Sequence, residues 1–162
     1  MREMVRANWG DWLYFQGTHL CLSAALGRTG QVRLLLEAGM HPDEIGRGDI
    51  SRFFARQKNF KEDFVAVTPL LAAILFAQEE TARLLLEYGA VCDFSRPDCR
   101  RILWRGSAAT LALAERLPGV GFGQIPAEEL EALRINVAEG GTQACLWRWL
   151  EGEKSLSDEE TG

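Results

Sequence analysis

Five groups of residues in this chain have side chains suited to chemistry: four cysteines, two histidines, two adjacent glutamate pairs, a glycine-rich segment, and arginines clustered with aromatic residues. Cys21, Cys92, Cys99 and Cys145 are scattered with no C-x-x-C pair, and only His19 and His41 could join them as zinc ligands. No metal and no cofactor is expected. Cys21 and Cys145 fall in apolar stretches, where a thiol behaves as a small core side chain. Cys92 and Cys99 flank a turn and could approach each other, but a chain without a secretion signal is expected to keep them reduced, so all four are read as structural. Glu79-Glu80 and Glu128-Glu129 are sequence neighbours, which point in different directions on a helix and do not form an acid–base pair. Neither histidine has a serine or cysteine partner at a recognisable spacing. Gly119-Val120-Gly121-Phe122-Gly123 departs from the dinucleotide fingerprint in spacing and reads as a turn. No catalytic constellation results, and the chain is expected not to be an enzyme.

The arginine clusters point to binding. Arg52, Arg56 and Lys58 stand among Phe53, Phe54 and Phe60, a composition that could take an acidic partner or single-stranded nucleic acid. The plainer reading, and the favoured one, is that the phenylalanines anchor this segment and the charges solvate its outer side. Arg96, Arg100, Arg101 and Arg105 lie beside Trp104, where neutralising nearby carboxylates is the commoner task than binding phosphate.

The chain that must position these groups has 162 residues, 47% of them hydrophobic, enough for one domain with a continuous core. Its net charge of −5 disfavours nucleic acid and anionic membrane and makes a basic partner easier to accommodate. The longest mostly apolar stretch, 65–77, is interrupted by Thr68 and Pro69 and falls short of the roughly 20 residues that a spanning helix needs. The first residues lack the apolar region and cleavage site of a secretory signal, so a cytoplasmic location is expected.

A repeat is visible. Thr18-His19-Leu20-Cys21-Leu22-Ser23-Ala24-Ala25-Leu26-Gly27 leads to Val32-Arg33-Leu34-Leu35-Leu36-Glu37-Ala38-Gly39-Met40, and Thr68-Pro69-Leu70-Leu71-Ala72-Ala73 leads to Ala82-Arg83-Leu84-Leu85-Leu86-Glu87-Tyr88-Gly89-Ala90. Thr18 and Thr68 are fit to cap helices, and Pro69 takes the first helical position, where a missing N–H costs nothing. Small residues permit close helix approach, and Gly39 and Gly89 stop the second helix of each block. These blocks resemble the ankyrin repeat, with its T-P-L-H-x-A-A opening, inter-helix glycine and V-x-x-L-L-x-x-G-A close. His19 departs from the pattern's proline, Cys21 and Leu71 from its histidine, and Ala77 from its glycine. The glycine stops are 50 positions apart against a family period of about 33, so roughly 17 residues between His41 and Phe64 are extra; within them, 50–60 could form a short helix.

The resulting expectation is an all-α ankyrin-repeat solenoid of stacked helix-turn-helix units with helical caps, of the small stand-alone bacterial type. Its parts are a cap over 1–16, in which Val5, Trp9, Trp12 and Leu13 recur at helical spacing, a repeat over 17–43, an insertion over 44–62, a repeat over 63–93, a degenerate repeat over 94–121, a C-terminal cap over 122–150 that includes a helix over 142–150, and an acidic disordered tail over 151–162. The resemblance implies partner contacts at hairpin tips and inner helix faces, which here are Tyr14, Phe15, Leu26, Phe64, Val65, Val67, Leu75 and Phe76; Arg52, Phe53, Phe54, Arg56 and Trp104 are secondary candidates. Exposed, the apolar members would form an interface patch; folded under the insertion or the terminal helix, they would be core, and self-association is a third use for them. The expected function is protein binding without catalysis, as an inhibitor or immunity protein that blocks a toxin or enzyme; the alternative is an adaptor or a self-assembling scaffold, with a homodimer as one form.

Overall fold

The computed structural model describes residues 4–8, 13–43, 51–56 and 62–138. It corrects the all-α expectation. Among the described residues, seven α-helices accompany one four-stranded antiparallel sheet, whose strands β1 (Met4–Asn8), β2 (Leu13–Thr18), β3 (Ser51–Arg56) and β4 (Glu62–Val67) lie side by side in chain order. Where it is described, the expected N-terminal helical cap is therefore the strands β1 and β2, and the part of the expected helix over 50–60 that is described, 51–56, is strand β3. The residues 142–150 and 151–162 lie outside the described residues.

The physical reason is a period of two. Ala7, Phe15, Phe53 and Val65 are aligned across the four strands, as are Val5, Gly17, Ser51 and Val67, and both rows face the helices. Between them run Arg6, Gln16, Arg52 and Ala66, none of which is buried. Alternate residues of a strand point to opposite faces, so one face is packed and the other wet.

Each hairpin leads directly into a helix pair: α1 (His19–Ala25) and α2 (Thr29–Glu37) after β2, α3 (Pro69–Leu75) and α4 (Glu79–Glu87) after β4. Thr18 and Thr68, extended in backbone, each accept a hydrogen bond at 3.2 Å from the backbone N–H three residues on, Cys21 and Leu71. The repeating unit is thus hairpin plus helix pair, and its period is the 50 residues between Thr18 and Thr68. Helix α3 is the centre of the core, with every residue buried. Equivalent carbonyls link the units: Ala25 O accepts from Gln78 Nε2 at 3.0 Å, and Leu75 O accepts from Thr110 Oγ1 at 2.7 Å. A third helix pair follows, α5 (Pro97–Arg105) and α6 (Ala108–Arg116), then α7 (Ala127–Ala138). No helix among the described residues is long and apolar enough to cross a membrane.

Two backbone positions are demanding. Between α1 and α2 the turn places Gly27 at φ 71°, and between α3 and α4 the same turn places Ala77 at φ 54°. The left-handed region costs a residue with a Cβ roughly 1–2 kcal/mol, part of which a glycine returns through its freer unfolded chain. Ala77→Gly is expected to raise stability by about 0.5–1 kcal/mol and Gly27→Ala to lower it by a similar amount, read as opposite shifts of the urea midpoint. Gly17 is constrained by space: a Cβ there would stand 2.3 Å from Ser51 Oγ and 2.6 Å from Ser51 Cα. Gly17→Ala is expected to cost about 2–3 kcal/mol in the same measurement, as overpacking does; an unchanged midpoint would mean that β2 and β3 are not in this register.

Candidate functional site

Six of the eight residues expected at an apolar partner surface, Phe15, Leu26, Val65, Val67, Leu75 and Phe76, are buried and present no surface to a partner. Strand β3 covers two of them, Phe15 and Phe76. Phe53, also buried, sits with its ring centroid 4.9 Å from that of Phe15 and 4.7 Å from that of Phe76, so one side chain ties both hairpins to the turn after α3. Rings at these separations prefer tilted or edge contacts, as the 42° and 66° interplanar angles show.

The two remaining candidates lie on the opposite face of the sheet. Phe64 is 53% exposed and Tyr14 half-buried. Their row in the register is Asn8, Tyr14, Phe54, Phe64, and the row beside it is Arg6, Gln16, Arg52, Ala66. Arg56 and Glu62 are paired one step further along β3 and β4. The Arg52 guanidinium carbon lies 5.5 Å from the Phe64 ring centroid, a cation–π contact that leaves both groups near solvent. Two sets of residues that are 38 positions apart in sequence, Tyr14 and Arg52, thus join in one aromatic and basic surface. Arg6, Gln16 and Ala66 belong to it and were not among the sequence candidates; the alternation Val5-Arg6-Ala7 and Val65-Ala66-Val67 was the signal for them.

Several other side chains suited to chemistry are engaged within the fold. Trp104 is 39% exposed on α5, and its carbonyl accepts from Asn136 Nδ2 at 3.3 Å. Arg100 is buried; its guanidinium donates to Phe94 O at 3.0 Å, Ser95 O at 2.9 Å and the Glu129 carboxylate, which fastens α7 to the start of α5. Arg96 pairs with Asp98. Glu79 takes Arg83 and Arg116, whose hydrogen bonds, Arg116 first, hold its carboxyl below the usual carboxylate range. It is ionised and paired, a poor proton donor at neutral pH. His19 Nδ1 contacts Gln31 Nε2 at 3.3 Å, and His41 Nδ1 accepts from the Asp43 N–H at 3.0 Å. Cys21 is buried with its Sγ 3.8 Å from Val67 O, and burial pushes its pKa up to about 11. Among the described residues, no three His, Cys, Asp or Glu side chains gather as metal ligands do.

The two faces differ in what their aromatic rings contribute to stability. Phe53→Ala is expected to cost about 3–5 kcal/mol, as deletion of a buried ring does, whereas Phe64→Ala is expected to change stability by less than about 0.5 kcal/mol; equal losses in urea denaturation would show Phe64 to be core. Comparison of the chain with protein-family models, with curated proteins and with solved structures finds no match.

Proposed function

We propose that this chain is a non-enzymatic protein-binding module of ankyrin-like repeats, and that it engages an acidic segment of another protein through the outward face of its sheet. The observation that carries this reading is the exposed Phe64 ring with Arg52 stacked over it. A large aromatic on the wet side of a sheet contributes little to the fold and is the type of residue that dominates binding energy. Arg6 and Arg52 set two cations in one row, on either side of Gln16, on the outward face of a chain whose net charge is −5, so this face offers carboxylates a positive charge that the molecule as a whole does not. The surface is built on strands, which hold its side chains at fixed spacing and reduce the entropy lost on binding.

This acidic partner replaces the basic one that bulk charge alone favours. A cytoplasmic setting, where thiols are kept reduced, belongs to the same reading. An inhibitor that masks an acidic site on an enzyme, such as an immunity protein, and an adaptor that joins two proteins would both use such a face; the partner's own activity in the complex distinguishes them.

The test is capture of partners from the native cell by the wild-type chain, by an Arg52→Glu/Phe64→Ala variant and by a Leu34→Asp control on α2, each verified as folded by circular dichroism. A specific partner, identified by mass spectrometry and then purified, is expected to bind wild type and control alike, to bind the double variant roughly 100-fold more weakly, and to be released as salt is raised. Undiminished binding of the purified partner to the double variant would remove the sheet face from consideration.

A further inference from the structure

The second and third helix pairs are joined by a compact reversal of the chain. The Arg96 N–H donates to Asp93 O at 3.1 Å, closing a turn over 93–96; Pro97 then opens α5, and Arg96 O accepts from the N–H groups of Cys99 at 3.2 Å and Arg100 at 3.3 Å. Cys92 is therefore one residue before the turn and Cys99 in the first helical turn after it. The reversal brings the two residues near enough for the Cys99 thiol to act on that of Cys92, and both are free. Cys92 is 5% exposed, while Cys99 is only partly covered.

The segment around them is held from several sides. Asp43 accepts from the Val91 N–H at 3.0 and 3.2 Å through its two oxygens, Asp93 Oδ1 accepts from Ser95 N at 3.0 Å and Ser95 Oγ at 2.6 Å, the Phe94 N–H donates to Val120 O at 2.8 Å, and Arg100 takes the carbonyls of Phe94 and Ser95. Two thiols kept together by surrounding bonds have already lost the chain entropy that closing a loop between them requires. Simple core filling accounts for Cys92 but not for its pairing with a neighbour that solvent can reach.

We propose that Cys92 and Cys99 form a reversible disulfide site, oxidised by exchange with a low-molecular-weight disulfide. The Cys99 thiolate attacks one sulfur of the reagent, forming a mixed disulfide and releasing one small thiol. Cys92 then loses its proton to solvent and attacks the Cys99 sulfur, and the new bond between the two protein sulfurs expels the second small thiol. The protein gives up two hydrogens and two electrons, and the reagent's disulfide bond is reduced to two thiols. Burial, followed by the charges of its neighbours Cys99, Asp93 and Asp43, pushes the Cys92 thiol well above the ordinary range, so it is a slow attacker and Cys99 reacts first. The bridge closes a short loop and ties the exit of the second repeat to the start of α5.

The full chain is equilibrated in buffers of reduced and oxidised glutathione at varied ratio, quenched, alkylated and digested with trypsin. Because the Arg96–Pro97 bond resists trypsin, peptide 84–100 holds both cysteines. In oxidising buffers this peptide is expected to lose two hydrogens and take no alkylating agent, and to recover both thiols in reducing buffers. Cys92→Ser is expected to trap glutathione on Cys99, Cys99→Ser to leave Cys92 reduced, and the oxidised wild type to melt about 5 °C higher than the reduced form. A wild-type peptide that keeps two alkylatable thiols at every ratio, or that accumulates stable glutathione on Cys99 without closing the bridge, overturns the proposal.

Discussion

The packing of both repeats rests on how closely β2 approaches β3. Gly17 has no side chain where Ser51 crosses it, and in the space so left the Ser51 hydroxyl accepts the Thr18 N–H at 2.9 Å and lies 3.4 Å from the Thr18 hydroxyl. Thr18 is at once the last residue of a strand and the cap of a helix, so its backbone must leave the sheet ladder at this point. A buried N–H without a partner costs about 1–3 kcal/mol, and a residue of the second repeat removes that cost from the first. The two units are consequently joined by polar geometry as well as by apolar area, and the alignment of Phe53 with Phe15 follows from the same register.

That junction explains what the sequence showed and what it concealed. The helix pairs were legible because their signals are local: Thr18 and Thr68 as caps, Pro69 at the first turn, Gly39 and Gly89 with φ of 102° and 94° after the last. The strands were concealed because Val5, Trp9, Trp12 and Leu13 fit a helical spacing as well as they fit anything else, and a short apolar run does not distinguish the two periods. Strand β3 was harder still. Its partner β2 lies on the far side of a helix pair, and nothing in residues 51–56 names a partner so distant. Counting a 50-residue unit as a 33-residue repeat with an insertion hid the fact that both units carry the same hairpin.

The candidate surface was half legible for the same reason. Aromatic and basic residues were singled out in both hairpins, but which of them face outward depends on a register that only strand pairing supplies. Phe53 and Phe64 have the same chemistry, and one is the plug of the core while the other is exposed. The family resemblance points to tips and inner helices; here β2 pairs with β3, so the two hairpins share one four-stranded face.

The turn over 93–96 has a further meaning in such an array. At the place where a third hairpin would precede α5, the chain makes a four-residue reversal, so the sheet stops at β4 while the helices continue. Helix pairs and strands are therefore counted separately. The number of helix pairs sets the length of the stack and the number of hairpins the width of the sheet, so the two dimensions are set by separate parts of the chain.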